Sequence, residues 1–210
     1  MEKAKERSQR KPTSLEKNNS DNLTRADIEY PDVFMKLKQS FGDDSVKPEW
    51  DVAKESGDWL QHNTNLYVPR IDFAVKPFNT DRNRELNIEN IRTSYDTRNR
   101  LINMLVQKDT SNAHAFDSNQ NMNPRCFLAI EIENKTSRKH RLGSIINASA
   151  LAKVGIILGE KEEVKTSLIN LRNYLGKLNE YQKNNVAVHN TVILTKDEFL
   201  EILGSDLQEI

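Results

Sequence analysis

The stretch Phe127-Leu-Ala-Ile-Glu-Ile-Glu-Asn-Lys135 constrains this chain more than any other. It is apolar enough for a strand inside a sheet, yet it closes on two acids and a lysine. Side chains on a strand point to alternate faces, so Glu131, Glu133 and Lys135 share one face and Ile130 and Ile132 the other. Charged groups are almost never fully buried unless they are paired or bound to a metal. A fold that contains this strand must therefore open, at the strand's end, into something polar. A second apolar strand, Arg70-Ile-Asp72-Phe-Ala-Val75, carries an acid of its own.

The remaining chain supplies the layers around these strands. Residues 1–22 have hardly an apolar side chain and read as a disordered polar tail, because burial cannot offset their ordering entropy. Residues 23–210 read as a single domain. Pro31 opens a helix striped by Val33, Phe34, Leu37 and Phe41 and ended by Gly42. Pro48 to Leu60 predicts a short helix anchored by Trp50 and Trp59. Leu66 to Val68 predicts a strand that runs through Pro69 into Ile71–Val75, where Pro77 stops it. Asn79 to Asp81 resembles a helix cap, and apolar residues recur at helical spacing from Arg84 to Gln107, with a break near Asp96 to Asn99. Asp109 to Asn123 is a long polar loop, a length expected of mobile or functional segments. After the central strand come a small-residue helix (Ser144 to Lys153), a fully apolar strand (Val154 to Leu158), a long amphipathic helix (Glu162 to Lys183), a strand (Val186 to Leu194) and a last helix (Lys196 to Leu203). The order predicts an α/β fold, a mixed central β-sheet flanked by helices, with a helical insertion between the two acid-bearing strands.

Composition narrows the class. Apolar residues make up 36% and charged residues 30% of the 210, so a polar globular domain is expected. No apolar run approaches a membrane span and no secretory signal opens the chain, so a cytoplasmic protein without a membrane partner is expected. The single cysteine, Cys126, forms no internal disulfide and is expected to be an inert buried thiol. It also excludes a zinc ribbon, and there is no glycine-rich phosphate loop. The formal net charge is zero, which speaks mildly against nucleic-acid binding. Distribution matters more than the sum, however. Arg138, Lys139, His140 and Arg141 cluster after the central strand, and Arg82, Arg84, Arg92, Arg98 and Arg100 fall on one segment.

Phosphodiester hydrolysis needs a divalent metal, an activated water and charge stabilisation at phosphorus. Mg²⁺ prefers oxygens and is commonly held by one or two carboxylates plus substrate phosphate. Asp72 and Glu133 offer carboxylates from neighbouring strands, and the main-chain carbonyl of Asn134 offers a further oxygen. Lys135 suits orientation of water and charge stabilisation better than a base role, because adjacent carboxylates raise its pKa. Glu131 is a third acid on the same face and an alternative metal ligand. By contrast, a strand-end ion pair between Glu133 and Lys135 would contribute little.

With those residues in place, the chain resembles the PD-(D/E)XK nuclease superfamily over roughly Tyr30 to Leu158. The resemblance implies a restriction-endonuclease-like core and a Mg²⁺-dependent DNA endonuclease, with Mn²⁺ as a substitute metal. Asp72, Glu133 and Lys135 match its catalytic set. An acid on the first core helix, Glu29 or Glu55, has no motif to fix it. Pro69 stands three residues before Asp72, where the family has proline directly before the acid. The resemblance also implies DNA as partner, and a homodimer fits many such nucleases. Restriction, phage defence and repair are equally open within it.

Two other readings use the same residues. One is a non-catalytic module that kept the fold and binds nucleic acid or a partner. The other is a structural protein whose charges form strand-end ion pairs and whose amphipathic helix is a dimer face, against simple packing of that helix on the sheet. His140 stands either against a phosphate or in a solvated basic turn. His62, His114 and His189 lack metal-ligand spacing. Ser144 and Asn147 are candidate DNA contacts or ordinary helix-start polarity. Trp50, Trp59 and Tyr67 read as core. DNA reading is expected in Arg84 to Gln107 and in the Asp109 to Asn123 loop.

Overall fold

The computed structural model describes residues 24–55, 69–112, 115–134, 137–183 and 188–206. Two short helices lead in, α1 (Arg25–Glu29) and α2 (Pro31–Phe41). Thr24 and Asp27 form a capping box that starts α1, and Pro31 opens α2. Strand β1 (Val46–Asp51) runs into a four-residue helix, α3 (Val52–Glu55). Then come β2 (Arg70–Phe78), α4 (Arg84–Thr97), α5 (Asn99–Lys108) and β3 (Cys126–Glu133). The chain continues through α6 (Arg138–Leu151), β4 (Ala152–Gly159), α7 (Glu162–Glu180), β5 (Thr191–Thr195) and α8 (Lys196–Asp206).

The five strands form one mixed sheet in the order β1-β2-β3-β4-β5. β2 runs antiparallel to both β1 and β3, and β3, β4 and β5 are parallel. Every residue of β3 and β4 is buried, which is what the continuous apolar runs require. One face of the sheet packs Phe73, Ile130 and Val154 against Leu37 of α2, Leu105 of α5 and Phe199 of α8. The other packs Ala74, Ala129 and Ile157 against Ala148 of α6 and Leu168 and Leu175 of α7. The expected α/β sheet with helices on both faces is therefore present, and α7 spends its apolar stripe on packing. Among the described residues, no helix is long and apolar enough to cross a membrane.

Several boundaries differ from the sequence reading. The expected Pro48–Leu60 helix begins instead as β1. It is an edge strand, where a proline forfeits no ladder hydrogen bond, and it carries buried Trp50 into the core. Strand β2 runs through Pro77, by a cis Lys76–Pro77 bond, to Phe78. The helix expected from Ser144 starts six residues earlier, and of the strand expected from Val186 the described part begins at Thr191, with residues 184–187 outside the described residues. The break between α4 and α5 falls at Arg98, as the spacing predicts. The 109–123 loop is fastened by its own side chains. Asn112 Nδ2 donates to the carbonyls of His189 and Thr191, and Asn121 Nδ2 to those of Ala150 and Ala152. The polar tail, the Leu66–Val68 strand, Trp59, Tyr67, His62 and His114 lie outside the described residues.

Candidate active site

The ladder between β2 and β3 reaches Phe73 opposite Ile130 and there gives way to a side chain. Asp72 Oδ2 accepts the main-chain N–H of Ile132 at 2.8 Å. The bond ties the acid of one strand to the strand that carries the other two. On β3, Glu131 and Glu133 take the face of α6, as alternation requires. Ser144 Oγ, two turns into α6, donates to Glu133 Oε1 at 2.6 Å, and Asn147 hydrogen-bonds Glu131. Glu133 Oε2 is buried and has no hydrogen-bond partner among the described residues.

Crowding of three acids in a half-dry site has electrostatic consequences. Burial pushes the Asp72 carboxyl up to about 6, and the charges of Glu49 and Glu133 push the same way, against the Ile132 hydrogen bond and Arg25. Burial, then Asp72, Glu133 and Glu49, hold Glu131 well above the usual carboxylate range. Glu49 was not singled out from sequence. It sits on β1 at φ 45°, the left-handed region that only glycine adopts freely, and accepts from Arg70 Nη1 at 3.3 Å. No local pattern marks such a residue, because only the pairing of β1 with β2 brings it near Asp72.

These acids floor a cleft of about 480 Å³. Its rim adds Arg25, Tyr30, Arg70, Lys139, His140 and Ser144. Arg25 pairs with Glu29 through both carboxylate oxygens, at 2.8 and 3.1 Å. Glu29 thus lies at the cleft, whereas Glu55 pairs with Lys47 on β1. Asn134 Nδ2 donates to Tyr30 Oη at 3.0 Å, which fixes the segment just past the strand end. Burial, then Glu160 and Glu29, raise the Tyr30 phenol to about 12. Lys135 lies outside the described residues. Of the basic cluster, Lys139 and His140 line the cleft from the first turn of α6, while Arg141 is buried and faces a separate recess with Glu160 and Glu163. Arg138 is exposed. Ser144 and Asn147, from sequence candidate DNA contacts or ordinary helix-start polarity, line the cleft and hold the acids.

Among the described residues, no group of three or more His, Cys, Asp and Glu is set to enclose a metal ion. Two carboxylates suffice for Mg²⁺, which keeps several waters. The donors here are all oxygens, and the partnerless Glu133 Oε2 is a buried acceptor that a hard cation would satisfy. Cys126 is buried at the other end of β3 and its thiol is pushed up by burial, so it is inert as expected. Compared with protein family models, with curated proteins and with solved structures, the chain matches none.

Proposed function

We propose that this chain is a divalent-metal-dependent DNA endonuclease of the PD-(D/E)XK type with a restriction-endonuclease-like core. The observation that carries the reading is the meeting of Asp72 and Glu133 from adjacent strands in a cleft rimmed by cations, with one buried Glu133 oxygen left without a partner. Asp72, Glu133 and the Asn134 carbonyl would hold Mg²⁺, or Mn²⁺ in its place, and Glu131 is the alternative acid. The metal supplies Lewis acidity at the phosphate and a more acidic water. The chain's own residues do the rest. Ser144 holds Glu133 in one rotamer, and the Ile132 N–H holds Asp72. Glu131, whose pKa is raised by burial and then by its acidic neighbours, holds its proton more tightly than an ordinary carboxyl. Lys139 and His140 face the cleft where a phosphate would lie, and Lys135 is assigned to orient water and offset charge.

Plasmid cleavage tests this. Supercoiled DNA with Mg²⁺ or Mn²⁺ should be nicked, the activity should vanish in EDTA, and Glu133→Gln and Lys135→Ala should each lower it by about 10²-fold or more. Discrete fragments would point to restriction. A folded wild-type protein that binds plasmid without cutting it would favour a non-catalytic module on the same fold.

A further inference from the structure

The arginine-rich insertion, where DNA reading was expected, is not at the acidic cleft. It joins the opposite end of β3. Asn79, which follows β2, bonds the Arg125 carbonyl just before β3, so α4 starts beside Cys126 rather than Glu133. The eight residues of β3 separate the two ends by about 23 Å. At this far end Arg82, Arg84 and Arg125 converge on a recess of about 330 Å³. Arg84 Nε is aimed by a 3.1 Å bond to Asn123 Oδ1. Neither Arg82 nor Arg84 forms an ion pair among the described residues. The one acid of the recess, Asp81, is engaged through Oδ1 by Asn83 N and Asn87 Nδ2, both at 2.7 Å. Burial, and then the charge of Arg84, lower the pKa of Arg125, so the guanidinium groups repel one another. On the other side of residues 121–124, Arg92 pairs with Glu89 at 3.6 Å and the buried Lys153 donates to Asn119 Oδ1 at 3.1 Å, so those two cations are already engaged.

We infer that this end of the sheet is a second contact surface for the phosphate backbone of a nucleic acid, remote from the acidic cleft. Planar guanidinium groups suit phosphate oxygens in pairs, and bound anions relieve mutual repulsion among the cations. A single phosphate would fill one recess. The choice of a nucleic acid over other polyanions rests on the proposed function. Arg98, by contrast, stacks over Phe41 at 4.5 Å and serves packing.

The experiment is fluorescence anisotropy of a labelled duplex with the full chain in EDTA, where cleavage cannot occur, across a salt series. Arg82→Ala/Arg84→Ala should weaken binding by about tenfold or more and reduce the slope of log K against log salt by about 2, because each phosphate contact contributes roughly 0.9. Arg82→Lys/Arg84→Lys should restore most of the slope. Unchanged affinity and slope in the alanine variant would overturn the inference, and so would a wild type that binds no duplex at low salt. Displacement of the duplex by millimolar inorganic phosphate would also overturn it and assign the recess to a small anion. Duplex binding that depends on these arginines, in a protein that never cleaves plasmid, would uphold this surface and refute the nuclease.

Discussion

Ser144 gives the Glu133 carboxylate one hydrogen bond, and the other oxygen has none among the described residues. That division sets what each substitution should do. Ser144→Ala leaves a buried acceptor unmade and should lower stability by about 1–3 kcal/mol in urea unfolding, while Ser144→Thr keeps the hydroxyl and most of the stability. Asp72 carries the pH dependence. Its carboxyl rises from 3.8 to about 6 on folding, so the folded state holds the proton more tightly. Stability from this group is complete below about pH 4, declines as pH rises, and is gone above about 6. Two pKa units correspond to about 3 kcal/mol, and partial exposure lowers that to about 2. Urea midpoints in EDTA at pH 5 and pH 8 should differ more in wild type than in Asp72→Asn, which keeps the acceptor for Ile132 without the charge. At this scale the sequence was legible where chemistry repeats in sequence, as in Glu131 and Glu133, and opaque where it depends on tertiary contact, as in Glu49 and Arg25.

Among the elements, α6 and β4 pack backbone to backbone at Gly155. A Cβ on Gly155 would stand 2.8 and 2.9 Å from the backbone carbon and oxygen of Ala148. The run of small residues in α6 announces such an approach, though not its partner. Gly155→Ala should cost about 1–3 kcal/mol by forcing α6 off the sheet that carries the acids, and the same variant should loosen the Ser144–Glu133 bond. A second element joint is hidden in the long loop. Arg172 of α7 donates to Asp109 at 2.5 and 3.1 Å in a site where both residues are buried, and Asp109 also accepts the Ile193 N–H of β5. Arg172→Met strands a buried carboxylate and should lower stability by about 3–5 kcal/mol in the same assay. Periodicity shows α7 as amphipathic, but an arginine facing inward on it contradicts the pattern and becomes intelligible only with Asp109 in place. The misread Pro48–Leu60 segment has a similar cause. An edge strand tolerates proline, so Pro48 does not mark a helix start there.

For the molecule as a whole, apolar runs and their order were enough for an α/β sheet with helices on both faces. They were not enough for the placement of the insertion, because which end of a strand a loop leaves from is decided by strand direction. Strand direction separates an acidic end from a basic one on a chain whose net charge is zero. If the acids take up a divalent cation, millimolar Mn²⁺ should raise the melting temperature at pH 8, by the equivalent of about 2.7 kcal/mol at a hundredfold excess over Kd. The gain should shrink at pH 5, where Asp72 is protonated, and be absent in Glu133→Gln, as differential scanning fluorimetry would show.

The parallel half of the sheet is built from chain neighbours, whereas β2 pairs with β3 across roughly twice the sequence separation of β3 and β4. Loop closure of that kind comes late in folding, after local contacts have formed. We expect Glu131, Glu133, Ser144 and Asn147, on one contiguous stretch, to come together early, and Asp72 to be delivered to a half-built cluster of like charge. A substitution that acts only after the rate-limiting step changes the rate of departure and not the rate of arrival. Asp72→Asn should accordingly slow unfolding above pH 6 and leave the refolding rate nearly unchanged in stopped-flow experiments. The acidic cleft would then be the last part of the molecule to close and the first to open.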